Sequence, residues 1–215
     1  MPGATVIEPA LRCDLPALSR RLRVPARRQA ELAALVRAAE AVARPKALCR
    51  TFTPVYGGED RVALGGVSFA SVQLCAVLKQ AAVIHPFLAT CGLELAAWAA
   101  SVSGQLHGYW ADAIMQDALD AALCGLESRL GREHGSALAS VEPGLFEDWP
   151  VTEQTKIHAL LGDTAGSVGV ELNAQCMMTP LKSLSGFMFP VPEKPHRCSL
   201  CANERCPERT RPPAR

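Results

Sequence analysis

A long helix is the feature that most restricts how this chain can fold. Residues 110–130 contain no proline, and apolar side chains recur at helical spacing at Ile114, Leu119, Leu123 and Leu126. The alanines between them are small enough for another backbone to approach closely. A helix of about 20 residues spans roughly 30 Å. Packing of this helix on other elements explains most of the segment without a function.

The other patterns predict a mixed α+β core around this helix. Helical spacing also marks residues 26–43, 68–78, 93–100 and 150–161. Short β-rich runs predict a hairpin-like pair of strands within residues 47–64, and single strands at residues 83–89, 168–172 and 187–189. Residues 131–142 are predicted to form a loop, and Pro143-Gly144 after them is a strong turn signal.

The composition changes after residue 190. Residues 191–215 contain five prolines and six basic residues against three acidic ones, so this segment cannot build a core of its own. We predict one globular domain, residues 1–190, followed by a tail, residues 191–215.

Three of the nine cysteines lie close together in this tail. Cys198, Cys201 and Cys206 have the C-x2-C-x4-C spacing, which lets three thiolates reach one metal centre. A zinc site or an iron–sulfur cluster usually takes four ligands. His196, Cys176 or an exogenous group is a candidate for the fourth ligand, and an unliganded, reduced tail is the alternative. We place an iron–sulfur cluster slightly ahead of zinc.

Charge and composition exclude several classes of partner. The net charge is +1 and aromatic residues are only 5%, so neither a basic field nor a stacking platform for nucleic acid is expected. The longest uncharged apolar stretches, residues 62–78 and 95–111, are shorter than the roughly 20 residues that a spanning helix needs. The N-terminus lacks the pattern of a secretory signal. We expect no membrane contact and a cytoplasmic location, where the six scattered cysteines stay reduced.

Common catalytic motifs are missing from the sequence. It has no glycine-rich phosphate loop, no G-x-S-x-G and no H-E-x-x-H, and its five histidines are dispersed. Standard hydrolase, kinase and dinucleotide-binding functions therefore have no motif to support them.

A series of short motifs in fixed order is more informative. Pro143-Gly144, then D-W-P at residues 148–150, M-M-x-P at 177–180 and K-S-x-S-G at 182–186 follow one another, with A-T-C-G upstream at 89–92. Together they resemble the activation domain of vitamin B12-dependent methionine synthase, and more closely its stand-alone relatives. The resemblance covers most of residues 15–190.

The resemblance implies a C-shaped α+β domain with a twisted, mainly antiparallel sheet. It further implies a shallow groove that binds S-adenosylmethionine and presents its methyl group to cobalamin on a corrinoid partner. The resemblance also implies a one-electron donor, such as flavodoxin, that drives the reductive methylation. Within this resemblance Asp120 corresponds to the acidic residue that contacts the ligand ammonium.

The ligand turn of the family, Arg-x-x-Pro-Gly-Tyr, corresponds here to residues 140–145. Ser140 stands in place of the arginine and Leu145 in place of the tyrosine, whereas Glu142, Pro143 and Gly144 lie at matching positions. The resemblance implies that this turn meets the adenine and the ligand carboxylate. Arg129 and Arg132 are candidate substitutes for the missing arginine.

Lys182, Ser183 and Ser185 are predicted to lie in a turn that begins at a proline. In that position they either satisfy the turn backbone or contact a side-chain amide of the corrinoid.

Two functions follow from these observations. The first is reductive reactivation of a cobalamin-dependent methyltransferase such as methionine synthase, with S-adenosylmethionine as methyl donor. The second is a non-catalytic module that docks a corrinoid protein or carries electrons and has lost S-adenosylmethionine binding. Ser140 and Leu145 favour the second.

Overall fold

The computed structural model describes residues 3–78 and 81–194. In this part of the chain the helices and strands follow in the order β1 (Thr5–Ile7), α1 (Leu15–Arg21), α2 (Gln29–Val42), β2 (Lys46–Cys49), β3 (Val55–Tyr56), β4 (Arg61–Leu64), β5 (Val67–Ala70), α3 (Val72–Leu78), β6 (His85–Thr90), α4 (Leu93–Ser101), α5 (Gln105–His134), β7 (Ala137–Val141), α6 (Gln154–Leu161), α7 (Thr164–Val168), β8 (Glu171–Leu172), β9 (Met178–Thr179) and β10 (Ser183–Val191). Single 3-10 turns, Ala26–Arg28 and Val151–Glu153, lead into α2 and α6.

A five-stranded antiparallel sheet lies at the centre, with strand order β1-β2-β6-β10-β7. β10 pairs with β6 along one edge and with β7 along the other, although it follows both in sequence. Two smaller antiparallel sheets, β3-β4-β5 and β8-β9, lie outside the central one. The architecture is the mixed α+β arrangement of antiparallel sheets and flanking helices that the sequence predicts.

The two faces of the central sheet carry different helices, because side chains alternate along each strand. The C-terminal half of α5 covers one face, where Leu126 packs with Phe87 and Met188. On the other face Leu88 and Phe187 pack against α6 and the β3-β4-β5 sheet. The sheet is therefore buried on both sides.

The N-terminal half of α5 packs on helices instead of strands. Trp110 and Ile114 join Leu32 and Val36 of α2 and Leu95 of α4 in a separate apolar cluster. One helix thus links the helical layer to the sheet.

The D-W-P motif has a structural role in this fold. Asp148 accepts hydrogen bonds from the Ser71 hydroxyl at 2.7 Å and from the Gln73 backbone N–H at 3.2 Å, which ties it to the start of α3. Trp149 is fully buried and stacks on Phe187, with ring centroids 5.3 Å apart. Pro150 precedes the 3-10 turn that opens α6.

Several predicted boundaries need correction. The predicted loop at residues 131–142 contains strand β7, because pairing with β10 overrides the weak strand preference of an Ala- and Ser-rich run. The predicted helix at residues 68–78 starts later, after strand β5. The strand predicted at residues 168–172 is two elements, the end of α7 and β8.

Ser183 and Ser185 do not lie in the predicted turn, whereas Lys182 lies in the bend that follows Pro180. Ser183 and Ser185 belong to β10, which starts four residues earlier than the predicted strand at residues 187–189, and Lys182 directly precedes it. Gly186 in the same motif is needed for packing, since an added Cβ would lie 2.4 Å from the Val141 carbonyl oxygen.

Among the described residues, no helix combines the length and apolar character required to cross a bilayer.

Candidate functional site

A cleft of about 360 Å³ lies between α5 and the β7–β10 side of the sheet. Ligand pockets typically have volumes of about 300–1,000 Å³, so a small organic molecule fits this space. The polar side chains on its lining are Asp120, Cys124, Glu127, Ser140, Glu142 and Lys194. Leu123, Leu184 and Met188 supply apolar surface.

One face of α5 forms the helical wall of the cleft. Asp120, Cys124 and Glu127 follow at i, i+4 and i+7, a spacing that places all three on the same side of a helix. Asp120 is exposed, and its Oδ1 accepts a hydrogen bond from Gln116 Nε2 at 3.1 Å. Glu127 forms an ion pair with Lys194.

Strands β7 and β10 form the opposite wall. Ser140 pairs with Met188 across the two strands, and their side chains share the face that looks toward α5. Ser140 Oγ donates to Glu142 Oε1 at 3.1 Å. Glu142 is only 8% exposed, although it borders the cleft.

The Pro143-Gly144 turn closes one end of β7. Gly144 has φ +92°, a left-handed conformation that favours glycine. The Gly144 N–H donates to the Trp149 carbonyl at 2.7 Å, and the Leu145 N–H donates to the Glu142 carbonyl at 3.0 Å. Both N–H groups are used inside the turn, so a base approaching it meets carbonyl oxygens and side chains instead.

The structure therefore brings Asp120, Ser140 and Glu142 to one cleft, with Pro143 and Gly144 next to it. Asp120 comes from α5, whereas Ser140 comes from β7 and Glu142 directly follows that strand.

Lys182, Ser183 and Ser185 lie away from this cleft. Ser183 Oγ donates to the Pro180 carbonyl at 2.7 Å, and Ser185 is buried with its Oγ 3.4 Å from Gln154 Oε1. Lys182 Nζ is 3.1 Å from Asp112 Oδ2 and borders a separate groove beside α4. The hydroxyls of Ser183 and Ser185 thus serve internal hydrogen bonds.

The cysteine cluster of the tail, Cys198, Cys201 and Cys206, lies outside the described residues, as does His196. Within residues 3–78 and 81–194, no group of three histidine, cysteine or acidic side chains is placed to hold a metal ion.

Sequence reasoning missed Cys124, Glu127 and Lys194. The first two share the helical spacing of Asp120, which was the available signal. Lys194 follows β10 by three residues, and its place at the cleft depends on where that strand runs.

No protein family model matches the chain, and no curated protein matches it in sequence. Among solved structures, a crystal structure of the MetH reactivation domain bound to AdoHcy matches with a TM-score of 0.62. The fold is that of the MetH reactivation domain. The match covers 90% of this chain and 80% of that one, at 18% identity.

The MetH reactivation-domain fold was the architecture predicted from the motif series, and the comparison confirms it. At 18% identity the likeness establishes the fold alone. The ligand and the partner of the present chain have to be argued from its own residues.

Proposed function

We propose that the protein binds an S-adenosylmethionine-type ligand in the cleft between α5 and β7–β10 and acts in the reductive reactivation of a cobalamin-dependent methyltransferase. The observation that carries this proposal is the convergence of Asp120, Ser140 and Glu142 on one cleft. The structural neighbour is a domain with AdoHcy bound. Residues 1–190 would act as the reactivation-type domain, in a cytoplasmic setting.

The charges of the cleft fit a ligand with a net positive charge. S-adenosylmethionine carries a sulfonium and an ammonium against one carboxylate. Asp120 would accept the ammonium, and the second positive charge is favoured by the neighbouring carboxylate of Glu142. Leu184 and Met188 offer apolar surface for the uncharged part of the molecule.

In this role the protein holds the methyl donor, and the partner supplies the metal. The partner's cobalamin would supply the methyl acceptor: one electron from a flavodoxin-like donor would reduce its inactive cobalt(II) to cobalt(I), whose electron pair would form the new bond to the methyl carbon. The C–S bond of the donor breaks with its electron pair left on sulfur, which converts the sulfonium to the neutral thioether of S-adenosylhomocysteine. The cleft must therefore hold the sulfonium with its methyl group accessible from outside.

The alternative is a docking or electron-transfer module without S-adenosylmethionine. The specific observation in its favour is the absence of both an arginine at position 140 and a tyrosine at position 145. Ligand binding by the isolated protein separates the two functions.

Calorimetric titration with S-adenosylmethionine is expected to detect binding by the wild-type protein. Asp120→Asn should weaken it about tenfold, because it removes a charged partner of the ammonium. Glu133→Gln is the matched control, since Glu133 lies on the same helix but pairs with Arg129 outside the cleft. No heat of binding at millimolar ligand, in wild type and in Ser140→Arg alike, would support the docking module.

Cys124 offers an independent readout of cleft occupancy. It is exposed and lines the cleft, whereas burial raises the pKa of Cys49 and of Cys91 to about 11 and leaves those thiols unreactive. S-adenosylmethionine should slow alkylation of Cys124, measured by peptide mass spectrometry. The matched comparison is adenosine alone at the same concentration.

The tail would add a metal centre to this function, as the spacing of Cys198, Cys201 and Cys206 predicts. Anaerobically purified protein should contain either iron and sulfide or zinc. Absorption at roughly 400 nm is expected only if it holds an iron–sulfur cluster. Replacing the three cysteines with serine should remove the metal and leave the fold intact. Metal-free protein with three freely titrating tail thiols would contradict this prediction.

A further inference from the structure

The cleft contains one cation that the sequence did not indicate. Among the described residues that line it, Lys194 alone carries a positive charge, against the carboxylates of Asp120, Glu127 and Glu142. A zwitterionic amino-acid group needs a cation or free backbone N–H groups for its carboxylate. The N–H groups of Gly144 and Leu145 are used within the turn, so they do not meet this need.

We propose that Lys194 binds the carboxylate of the S-adenosylmethionine-type ligand and so replaces the arginine that position 140 lacks. The inference rests on the proposed function and names a residue that determines the specificity of the same site.

The placement of Lys194 beside Ser140 supports this assignment. A small recess of about 20 Å³ is lined by Glu127, Ser140, Lys194 and three apolar neighbours, and these side chains also line the main cleft, apart from Leu138. A cation anchored after β10 thus reaches the part of the cleft where a longer side chain at position 140 would lie. The resemblance to the activation domain places the ligand carboxylate at this position.

The present partner of Lys194 does not prevent this role. Lys194 Nζ pairs with Glu127, and the two side chains are 57% and 34% exposed. Exposed ion pairs of this kind are weak, because water and salt screen them. A ligand carboxylate can therefore draw the ammonium away from Glu127, and the freed Glu127 carboxylate adds to the negative charge that faces the ligand.

The other candidate cations among the described residues do not line the cleft. Arg129 Nε is 2.9 Å from Glu133 Oε1, and neither residue lines the cleft. Lys182 pairs with Asp112 at the separate groove. Arg132 is not part of the cleft lining either.

The test compares two ligands that differ only in the carboxylate: S-adenosylmethionine and decarboxylated S-adenosylmethionine. Lys194→Gln should weaken binding of the first about tenfold and leave binding of the second unchanged or tighter. Lys194→Arg should preserve the wild-type preference. Arg129→Gln is the matched control, since Arg129 lies on α5 but does not line the cleft, and it should change neither affinity.

The outcomes separate this inference from the function on which it rests. Equal weakening of both ligands in Lys194→Gln, or no weakening of either, overturns the role of Lys194 while the proposed function stands. A loss specific to S-adenosylmethionine in Arg129→Gln assigns the carboxylate to that arginine and also overturns it. Failure of the wild-type protein to bind either ligand refutes the proposed function and this inference with it.

Discussion

Trp149→Ala is expected to lower the free energy of unfolding by about 3–5 kcal/mol, the range found when a buried tryptophan or phenylalanine is truncated. Trp149 is 0% exposed and stacks on Phe187, which in turn makes an edge contact with Phe69 at 5.0 Å. Its removal opens a cavity where the turn, the central sheet and the β3-β4-β5 sheet meet. Urea unfolding followed by circular dichroism gives the measurement.

Two comparison variants make this result specific. Trp149→Phe keeps most of the ring and removes an Nε1–H that is buried without a hydrogen-bond partner in the described structure, so its cost should stay below about 1.5 kcal/mol. Tyr109→Ala truncates an aromatic side chain that is 59% exposed, and it should change stability by about 0.5 kcal/mol or less. If Trp149→Ala abolished ligand binding at unchanged stability, Trp149 would be a ligand residue.

The role of Trp149 in the core indicates that the motif series specifies the fold. In D-W-P, Asp148 caps the start of α3, Trp149 supplies a core ring and Pro150 precedes the turn into α6. Gly186 of K-S-x-S-G allows β7 to approach β10. These positions specify the fold, which explains why the series predicts the architecture correctly. A sequence can keep them while the ligand side chains change, as at Ser140 and Leu145.

Local sequence periodicity predicts the long helix α5 but does not predict the neighbouring strand β7. α5 is predictable because about 20 residues of helical spacing leave little choice. β7 has the sequence ALASV, whose weak alternation contains no strong strand former except valine. It is a strand because β10 pairs with it, and that pairing joins residues about 50 positions apart. Non-local pairing of this kind is not visible in a local pattern.

The same distinction between local pattern and non-local contact applies to the residues of the site. Pro143-Gly144 was found because it is a strong local turn signal, and Asp120 because the resemblance aligns it with the acidic residue of the family. Lys194 was assigned to the tail, since its neighbours are prolines and charged residues. Its position at the cleft follows from the direction of β10, which no property of residue 194 reveals.

A buried histidine, His85, in contact with the exposed His134 gives the second large effect, a loss of stability in acid. His85 is 1% exposed, and its Nε2 lies 2.8 Å from Nε2 of His134, while its Nδ1 lies 3.1 Å from Thr51 Oγ1. Burial, assisted by the neighbouring His134, lowers the pKa of His85 from 6.5 to about 4, and Glu133 opposes the shift. At neutral pH one of the two facing nitrogens carries a hydrogen and donates a hydrogen bond to the other.

The sign of the effect follows from the lowered pKa. Between pH 6.5 and 4 the unfolded chain binds a proton at His85 that the folded chain does not, so acid favours unfolding. The stabilisation is complete above pH 6.5 and is lost as the pH falls toward 4, by about 3 kcal/mol in total. Burial also lowers the pKa of His158, which contributes in the same direction.

Urea unfolding at several pH values between 7.5 and 4.5 measures this loss. His85→Gln should flatten the dependence, because the amide can still bond to its neighbours and does not titrate in this range. His107→Gln is the matched control, since His107 is an exposed histidine paired with Glu31, and it should leave the pH dependence of stability close to that of the wild type. Equal slopes in wild type and His85→Gln would show that another group drives the acid transition, with His158 the next to replace.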